Sequence, residues 1–223
     1  MTASCSYTDV IFDYCDVLLN WQPRRALDGL YPDDVLNTFF DRSAAYGFWH
    51  YDELSDLGWS EQQIIADYAV HHRTDMSSTA TDGGQTTDST ATDAGQIFAD
   101  YFSRQQLALY DMIDGMPMLL SDLDAAGVRL WGLTNFTAKF VHAAHDKFPW
   151  LKLLRDTVVS SEEYIHKPDP EIYRRAIDRF GVNPATTAFL DDKARNADAA
   201  TAAGITGIQF YCASQARKAL SLI

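Results

Sequence analysis

From Met116 to its end the chain repeats one pattern, and that pattern constrains the fold more than any other feature. An amphipathic stretch, Met116–Ala126, stops at Gly127 and gives way to the apolar run Val128–Thr134. Thr137–Phe148 again reads as a helix and Thr157–Ser160 as a short strand. Pro168–Phe180 reads as a helix with prolines in its first turn, stopped by Gly181. Thr187–Asp191 is the next strand, Lys193–Ala203 an alanine-rich helix stopped by Gly204, Ile205–Tyr211 a last strand and Ser214–Leu222 a last helix. A glycine just past a helix end accepts the left-handed backbone there without steric cost, which supports all three of these ends. Near the start, Tyr7–Asp13 supplies one more strand. Strands alternating with helices close right-handed crossovers. The expected fold is therefore α/β, a Rossmann-like parallel sheet core with helices on both faces.

Between the first strand and Met116 the pattern breaks. Roughly from Trp21 to Met112 there is little strand character. Pro32–Phe40, Ser60–His72 and Ile97–Tyr110 look helical, and Phe39, Phe40, Tyr46, Phe48, Trp49 and Tyr51 fall at core-like spacing. We read residues 1–20 and 113–223 as the core and residues 21–112 as an inserted helical cap. Within the cap, Ser78–Gln85 recurs as Ser89–Gln96, a shift of 11 residues. Two copies are too few for a solenoid. The composition of Ser, Thr, Asp, Gly and Ala lacks the large apolar groups that offset the entropy of ordering, so a flexible loop is expected at about residues 76–96.

Charge narrows the partners. The chain carries 18 basic and 31 acidic residues, a net of −13. Such a surface repels nucleic acid and anionic lipid, so neither is an expected partner. An anionic substrate would need a local cation, from Lys, Arg or a bound metal. With 47% hydrophobic residues a core can form, and no run of 18 apolar residues suggests a spanning helix. No basic region followed by an apolar stretch opens the chain, and Cys5, Cys15 and Cys212 make no even framework. They are expected to be free thiols in a reducing cytoplasm.

Ligands of parallel sheets bind beyond the carboxyl ends of the strands. Three such ends carry polar groups, at Asp13, at Thr134–Asn135 and at Asp191–Asp192, and a fourth segment brings Lys167 just before a helix. Each has an ordinary structural use as a cap or turn residue. All four fall at one sheet edge, and together they make a chemical set. Asp13 is a candidate nucleophile toward phosphorus. Asp192 with Asp13 suits a hard, oxygen-preferring ion such as Mg2+. Lys167 adds fixed positive charge, and the Thr134 hydroxyl with the Asn135 backbone N–H offers hydrogen bonds to phosphoryl oxygens. That set answers how so acidic a chain would bind an anion.

Four stretches carry a family resemblance. They are VIFDYCDVLLNW (residues 10–21), GLTNF (132–136), HKPDPEIYRRAIDRFGVNP (166–184) and FLDDKARNADAATAAGI (189–205). In this order they resemble the haloacid dehalogenase-like hydrolase superfamily. A cap directly after the first stretch resembles the subclass with a helical C1 cap. The wording is similar to glucose-1-phosphate phosphatase-like proteins and to the phosphatase domain of soluble epoxide hydrolases. The resemblance implies that Asp13 forms an aspartyl-phosphate and that Thr134 and Asn135 bind the phosphoryl group. It implies that Lys167 steadies both, and that Asp192, Asp13 and the backbone carbonyl of Cys15 hold Mg2+, with Asp191 and Asn196 in support. It further implies a phosphatase of a small phosphorylated metabolite, a sugar phosphate being the nearest class, with the cap supplying specificity.

One position departs from the family. Most of its phosphatases and mutases place a second Asp two residues after the nucleophile, as general acid and base. Here that position is Cys15, and the acid stands one residue later, at Asp16. A thiol of pKa about 8.5 replaces a carboxyl acid poorly, and loss of such catalysis costs about a hundred- to ten-thousand-fold. A one-residue shift on an extended segment turns the side chain to the other face, so Asp16 reads first as a loop residue. His142, His145 and Asp146 share a helical face, and we read them as solvated rather than as a metal site. His71 and His72 read likewise, and His166 is assigned no role. The competing functions are a metal-independent 2-haloacid dehalogenase, which Asp191–Asp192 disfavours, and a binding or regulatory protein with weakened turnover, which Cys15 favours.

Overall fold

The computed structural model describes residues 5–72 and 94–222. Residues 73–93, and with them most of the duplicated tract and of the expected loop, lie outside the described residues; the end of that loop needs correction, since Gln96 already opens a helix. The strands are β1 (Asp9–Phe12), β2 (Leu19–Trp21), β3 (Leu109–Met112), β4 (Arg129–Thr134), β5 (Leu154–Val159), β6 (Thr187–Asp191) and β7 (Thr206–Gln209). The helices are α1 (Asp33–Phe39), α2 (Phe48–Asp56), α3 (Glu61–His71), α4 (Gln96–Arg104), α5 (Met116–Ala125), α6 (Ala138–Lys147), α7 (Ser160–Glu163), α8 (Pro170–Phe180), α9 (Ala194–Ala202) and α10 (Ala213–Ala219). By its contacts the chain divides into two compact units, one of Met1–Gln22, Asp56–Gly58 and Leu109–Ile223, the other of Pro23–Ser55 and Trp59–Ala108.

The first unit is built on a five-stranded sheet in the order β5-β4-β1-β6-β7, with every pairing parallel. All four residues of β1 and all five of β6 are buried. Successive side chains point to opposite faces, so burial of every residue means that both faces are covered. Ile11, Leu133, Val158 and Phe189 share a cluster with Ile172, Tyr173 and Ala176 of α8 and Ala200 of α9. Helix α8 shows why the glycine stops are readable. Asp169 accepts from the Glu171 N–H, Pro170 opens the helix, and Gly181 closes it in the left-handed region.

At the amino edge of the sheet, Asp9 is fully buried. Its Oδ2 accepts from Thr8 Oγ1 at 2.8 Å and from Arg129 Nη2 at 2.9 Å. Its Oδ1 accepts from Trp131 Nε1 at 2.9 Å and meets Arg129 Nε at 2.8 Å.

Strand β7 and helix α9 approach so closely that only glycine fits between them. A Cβ on Gly207 would stand 1.9 Å from the Ala197 carbonyl oxygen. Gly207→Ala therefore has to push α9 off the sheet. The expected loss is about 3 kcal/mol, the upper part of the overpacking range, read as a shift of the urea midpoint. An unchanged midpoint would mean that the two backbones have room to spare.

The second unit is a helical cluster around aromatic rings. Phe39, Phe48, Tyr51, Tyr68, Phe98, Tyr101 and Phe102 are buried in it, with Phe98 4.9 Å from both Phe39 and Tyr68, centroid to centroid. Ser60 and Gln63 form a capping box at the start of α3. Tyr46, read from spacing as core, is 44% exposed and stacks on His71 instead.

Two expectations need correction. The helix expected over Ile97–Tyr110 ends at Arg104, and after a tight turn the chain enters β3, which pairs antiparallel with β2. Leu109 and Met112 are the buried residues of that strand. Their spacing of three reads as helical, and the distant partner Leu19–Trp21 decides otherwise. The strand expected over Thr157–Ser160 begins earlier, at Leu154, and ends at Val159. It lies at the sheet edge, so Arg155 and Asp156 stay polar and hide its first half.

Candidate active site

Register sets the site. Phe12 pairs with Gly132 on one side and Leu190 on the other, so the next residues, Asp13, Leu133 and Asp191, stand abreast at the carboxyl edge. The Asp13 N–H donates to the Leu190 carbonyl at 2.9 Å, which extends the ladder to the last residue before the loop. Thr134 ends β4, and Asn135 follows it.

Lys167 reaches this edge from the segment before α8 and is 1% exposed. Its ammonium lies 2.8 Å from Asp13 Oδ1, 2.8 Å from Asp191 Oδ2 and 3.0 Å from the Leu133 carbonyl oxygen. Three acceptors match its three hydrogens. Asn135 fixes the segment that delivers it. The Lys167 N–H donates to Asn135 Oδ1 at 2.8 Å, and Asn135 Nδ2 donates back to the Lys167 carbonyl at 3.0 Å.

Asp191 is saturated. Its Oδ1 accepts from the Lys193 N–H and from Asn196 Nδ2, both at 2.9 Å, and its Oδ2 accepts from Lys167 and again from Asn196. Burial opposes its ionisation, but Lys167 and these donors hold its carboxyl below the usual range. Burial alone would lower the Lys167 ammonium, yet the carboxylates of Asp13 and Asp191 raise it. Burial pushes the Asp13 carboxyl up to about 7, against the pull of Lys167 and with Asp191 adding to the rise.

Asp13 is held on one side only. Its Oδ1 takes both Lys167 and the Tyr14 N–H, the latter at 2.7 Å. No hydrogen bond reaches its Oδ2 among the described residues. Nearby, Thr134 Oγ1 and Asp192 Oδ1 are buried with no partner among the described residues. Unpaired buried polar atoms are costly and call for a ligand that pairs them. Asp13, Asp191 and Asp192 each offer an oxygen within 4.8 Å of the others. Hard carboxylate oxygens in such a group, one of them orphaned, fit a hard divalent cation.

Cys15 is half-buried and bridges to Leu19, and Asp16 sits at an exposed turn in the left-handed region, φ 62°. The His142–His145–Asp146 reading needs correction. His145 is half-buried rather than simply solvated, and its Nε2 lies 2.8 Å from the Tyr14 hydroxyl. Burial, with His142 adding, lowers its pKa. Among the described residues no metal-binding group forms there. His166 sets its Nδ1 2.8 Å from the Lys167 carbonyl oxygen. Tyr14 and the Lys193 amide are the contributors that sequence reasoning missed. A tyrosine directly after the acidic strand end was the available signal for the first.

The family model for haloacid dehalogenase-like hydrolases matches residues 11–204. The chain is 32% identical over 112 residues to flavin mononucleotide hydrolase 1 of Arabidopsis thaliana, covering 50% of this chain and 45% of that one. It is 32% identical over 93 residues to a sesquiterpene phosphatase of Aspergillus oryzae, covering 42% and 47%. The matches thus span about half the length of these curated relatives. A haloacid dehalogenase-family enzyme of Bacteroides thetaiotaomicron, solved with magnesium and inorganic phosphate, superposes with a TM-score of 0.64 at 17% identity, over 92% of this chain and 95% of that one. No helix among the described residues is long and apolar enough to cross a membrane.

Proposed function

The chain belongs to the haloacid dehalogenase-like hydrolases, and from that membership we propose that it is a Mg2+-dependent phosphatase of a small phosphorylated metabolite, working through an aspartyl-phosphate on Asp13. The observation that carries this reading is the asymmetry of the Asp13 carboxylate. One oxygen is pinned by Lys167 and the Tyr14 amide, and the other is left free to attack. Bond formation from Oδ2 to phosphorus goes with cleavage of the phosphorus–oxygen bond, and the leaving oxygen departs with its electron pair and takes a proton from water. Water then cleaves the acyl phosphate, releasing inorganic phosphate and restoring Asp13.

The chain's own groups divide the remaining work. Lys167 faces the pinned oxygen and offsets negative charge where the phosphoryl group would sit. The orphaned Thr134 hydroxyl donates to a phosphoryl oxygen. The Asn135 side chain holds the Lys167 segment, and its backbone N–H is left for the phosphoryl group. Asp192, with its unpaired Oδ1, Asp13 and the carbonyl of Cys15 would hold Mg2+, while Asp191 and Asn196 support the cluster. When bound, the ion neutralises charge on phosphate and nucleophile. The relatives named as a sesquiterpene phosphatase and a flavin mononucleotide hydrolase support the reaction class, and a sugar phosphate is the first substrate class to test.

Cys15 favours a second reading, a protein that binds phosphate esters and turns them over weakly, because no carboxyl stands where the family's general acid does. One assay series separates the readings. Hydrolysis of aryl and alkyl phosphates, and halide release from 2-haloacids, are measured against Mg2+ concentration in wild type and Asp192→Ala. We expect phosphate release that depends on Mg2+, and a requirement at least tenfold higher, or no turnover, in the variant. Halide release without metal would sink the phosphatase reading. Wild-type behaviour of Asp192→Ala in limiting Mg2+ would remove Asp192 from the metal site.

A further inference from the structure

Tyr14 links the Asp13 carboxylate to groups far along the chain. Its N–H donates to Asp13 Oδ1, and its carbonyl accepts from the N–H groups of Leu18 and Leu19 at 2.9 and 2.8 Å, so the loop after β1 hangs on this residue. Its ring is fully buried. The ring passes over Gly132 of β4 toward β5, and a Cβ on Gly132 would stand 2.7 Å from Tyr14 Cε2 and 2.6 Å from Thr157 Oγ1. The slot therefore exists because residue 132 has no side chain. At its far end the phenol oxygen lies 2.8 Å from His145 Nε2 and 2.9 Å from Thr157 Oγ1. Two partners from different elements, α6 and β5, fix that oxygen in place.

We infer that Tyr14 is a positioning residue for the reaction: its hydroxyl, gripped by His145 and Thr157, fixes the backbone amide that orients the Asp13 carboxylate. The inference rests on the reading of Asp13 as nucleophile. Packing alone does not account for the hydroxyl, since phenylalanine would fill the same slot. His145 and Thr157 also line a cavity of about 380 Å3. Water entering from there can pair with them when the hydroxyl is removed, but it cannot hold the loop. Stability and positioning should therefore separate. A misplacement of about 1 Å at a reacting group costs about a hundredfold in rate, and a fraction of that displacement proportionately less.

The test is a cycle of Tyr14→Phe, His145→Leu and the double variant, read as kcat, KM and melting temperature. Each single change should lower kcat about tenfold with KM within about twofold. The double variant should be no slower than Tyr14→Phe, because that change already removes the hydrogen bond that His145→Leu removes. Unchanged kcat, or losses that multiply, would overturn the inference. A second readout needs no turnover. With 15N-tyrosine labelling the 11 tyrosines give a countable set of amide signals, and Tyr14→Phe assigns one by deleting it. That amide should resonate downfield, as a donor to a carboxylate, and should move upfield in His145→Leu and in the nearly isosteric Thr157→Val. An amide that stays put in both overturns the inference. An amide that moves in a protein inactive on every phosphate ester refutes the phosphatase reading and leaves the orientation of Asp13 by Tyr14 standing.

Discussion

Asp13→Asn should abolish turnover while leaving the fold more stable in metal-free buffer at pH 8. The amide keeps the shape of the carboxylate and an oxygen for Lys167 and Tyr14, but it presents nitrogen where Oδ2 stood. Loss of a nucleophile costs about four orders of magnitude or more in kcat. The stability gain follows from the raised Asp13 carboxyl, which burial pushes up from 3.8 to about 7. An acid that ionises later in the fold than in the open chain opposes folding fully above pH about 7, and not at all below pH about 4. The advantage of the amide should thus be complete at pH 8 and vanish toward pH 4. Paired urea titrations at the two pH values, with a single-turnover assay, check both halves. Retained turnover would remove the covalent route, and a variant less stable at pH 8 would show that Asp13 is held mainly by its charge.

Lys167→Met carries the second large effect. The lysine is buried between two carboxylates, at 2.8 Å from each. A methionine fills the space and leaves both anions without a counter-charge. Removing one member of a buried ionic group costs about 3–5 kcal/mol. The loss should narrow in acid, where both carboxyls take up protons. Activity should fall about a thousandfold, the scale of removing a preorganised charge from a transition state. Refolded Lys167→Ala, with methylamine added to occupy the vacated space, gives a rescue control. A variant of wild-type stability would mean that Asp13 and Asp191 are neutralised by something other than this ammonium.

Much of this edge was legible because the code for it is local. Glycines 181 and 204 end helices whose apolar faces repeat regularly, and the strands between them follow. A parallel sheet brings all its carboxyl ends together, so Asp13, Thr134 and Asp191 had to meet once the strands were placed. What stayed hidden depends on pairs distant in sequence. Tyr14 and His145 are 131 residues apart, and no periodicity connects a phenol to an imidazole. Gly132 looked like one more residue of an apolar strand, and only the neighbouring ring shows why it has no side chain. The ribbon of β2 and β3 was missed for the same reason, since Leu109 and Met112 fit a helix equally well until their partner is known.

Strand β1 begins with one aspartate and is followed by another, four residues apart, and the two are held in opposite ways. Asp9 is enclosed by donors from Thr8, Arg129 and Trp131, with both oxygens engaged. It behaves as a structural ion whose lone pairs are spent. Asp13 has its donors gathered on one oxygen. Side-chain type is the same and burial is nearly the same, and the two differ in how evenly the donors are shared. The sheet thus contains its own reference compound. Any reagent that seeks a carboxylate with an uncommitted lone pair has reason to distinguish the two ends of a single strand.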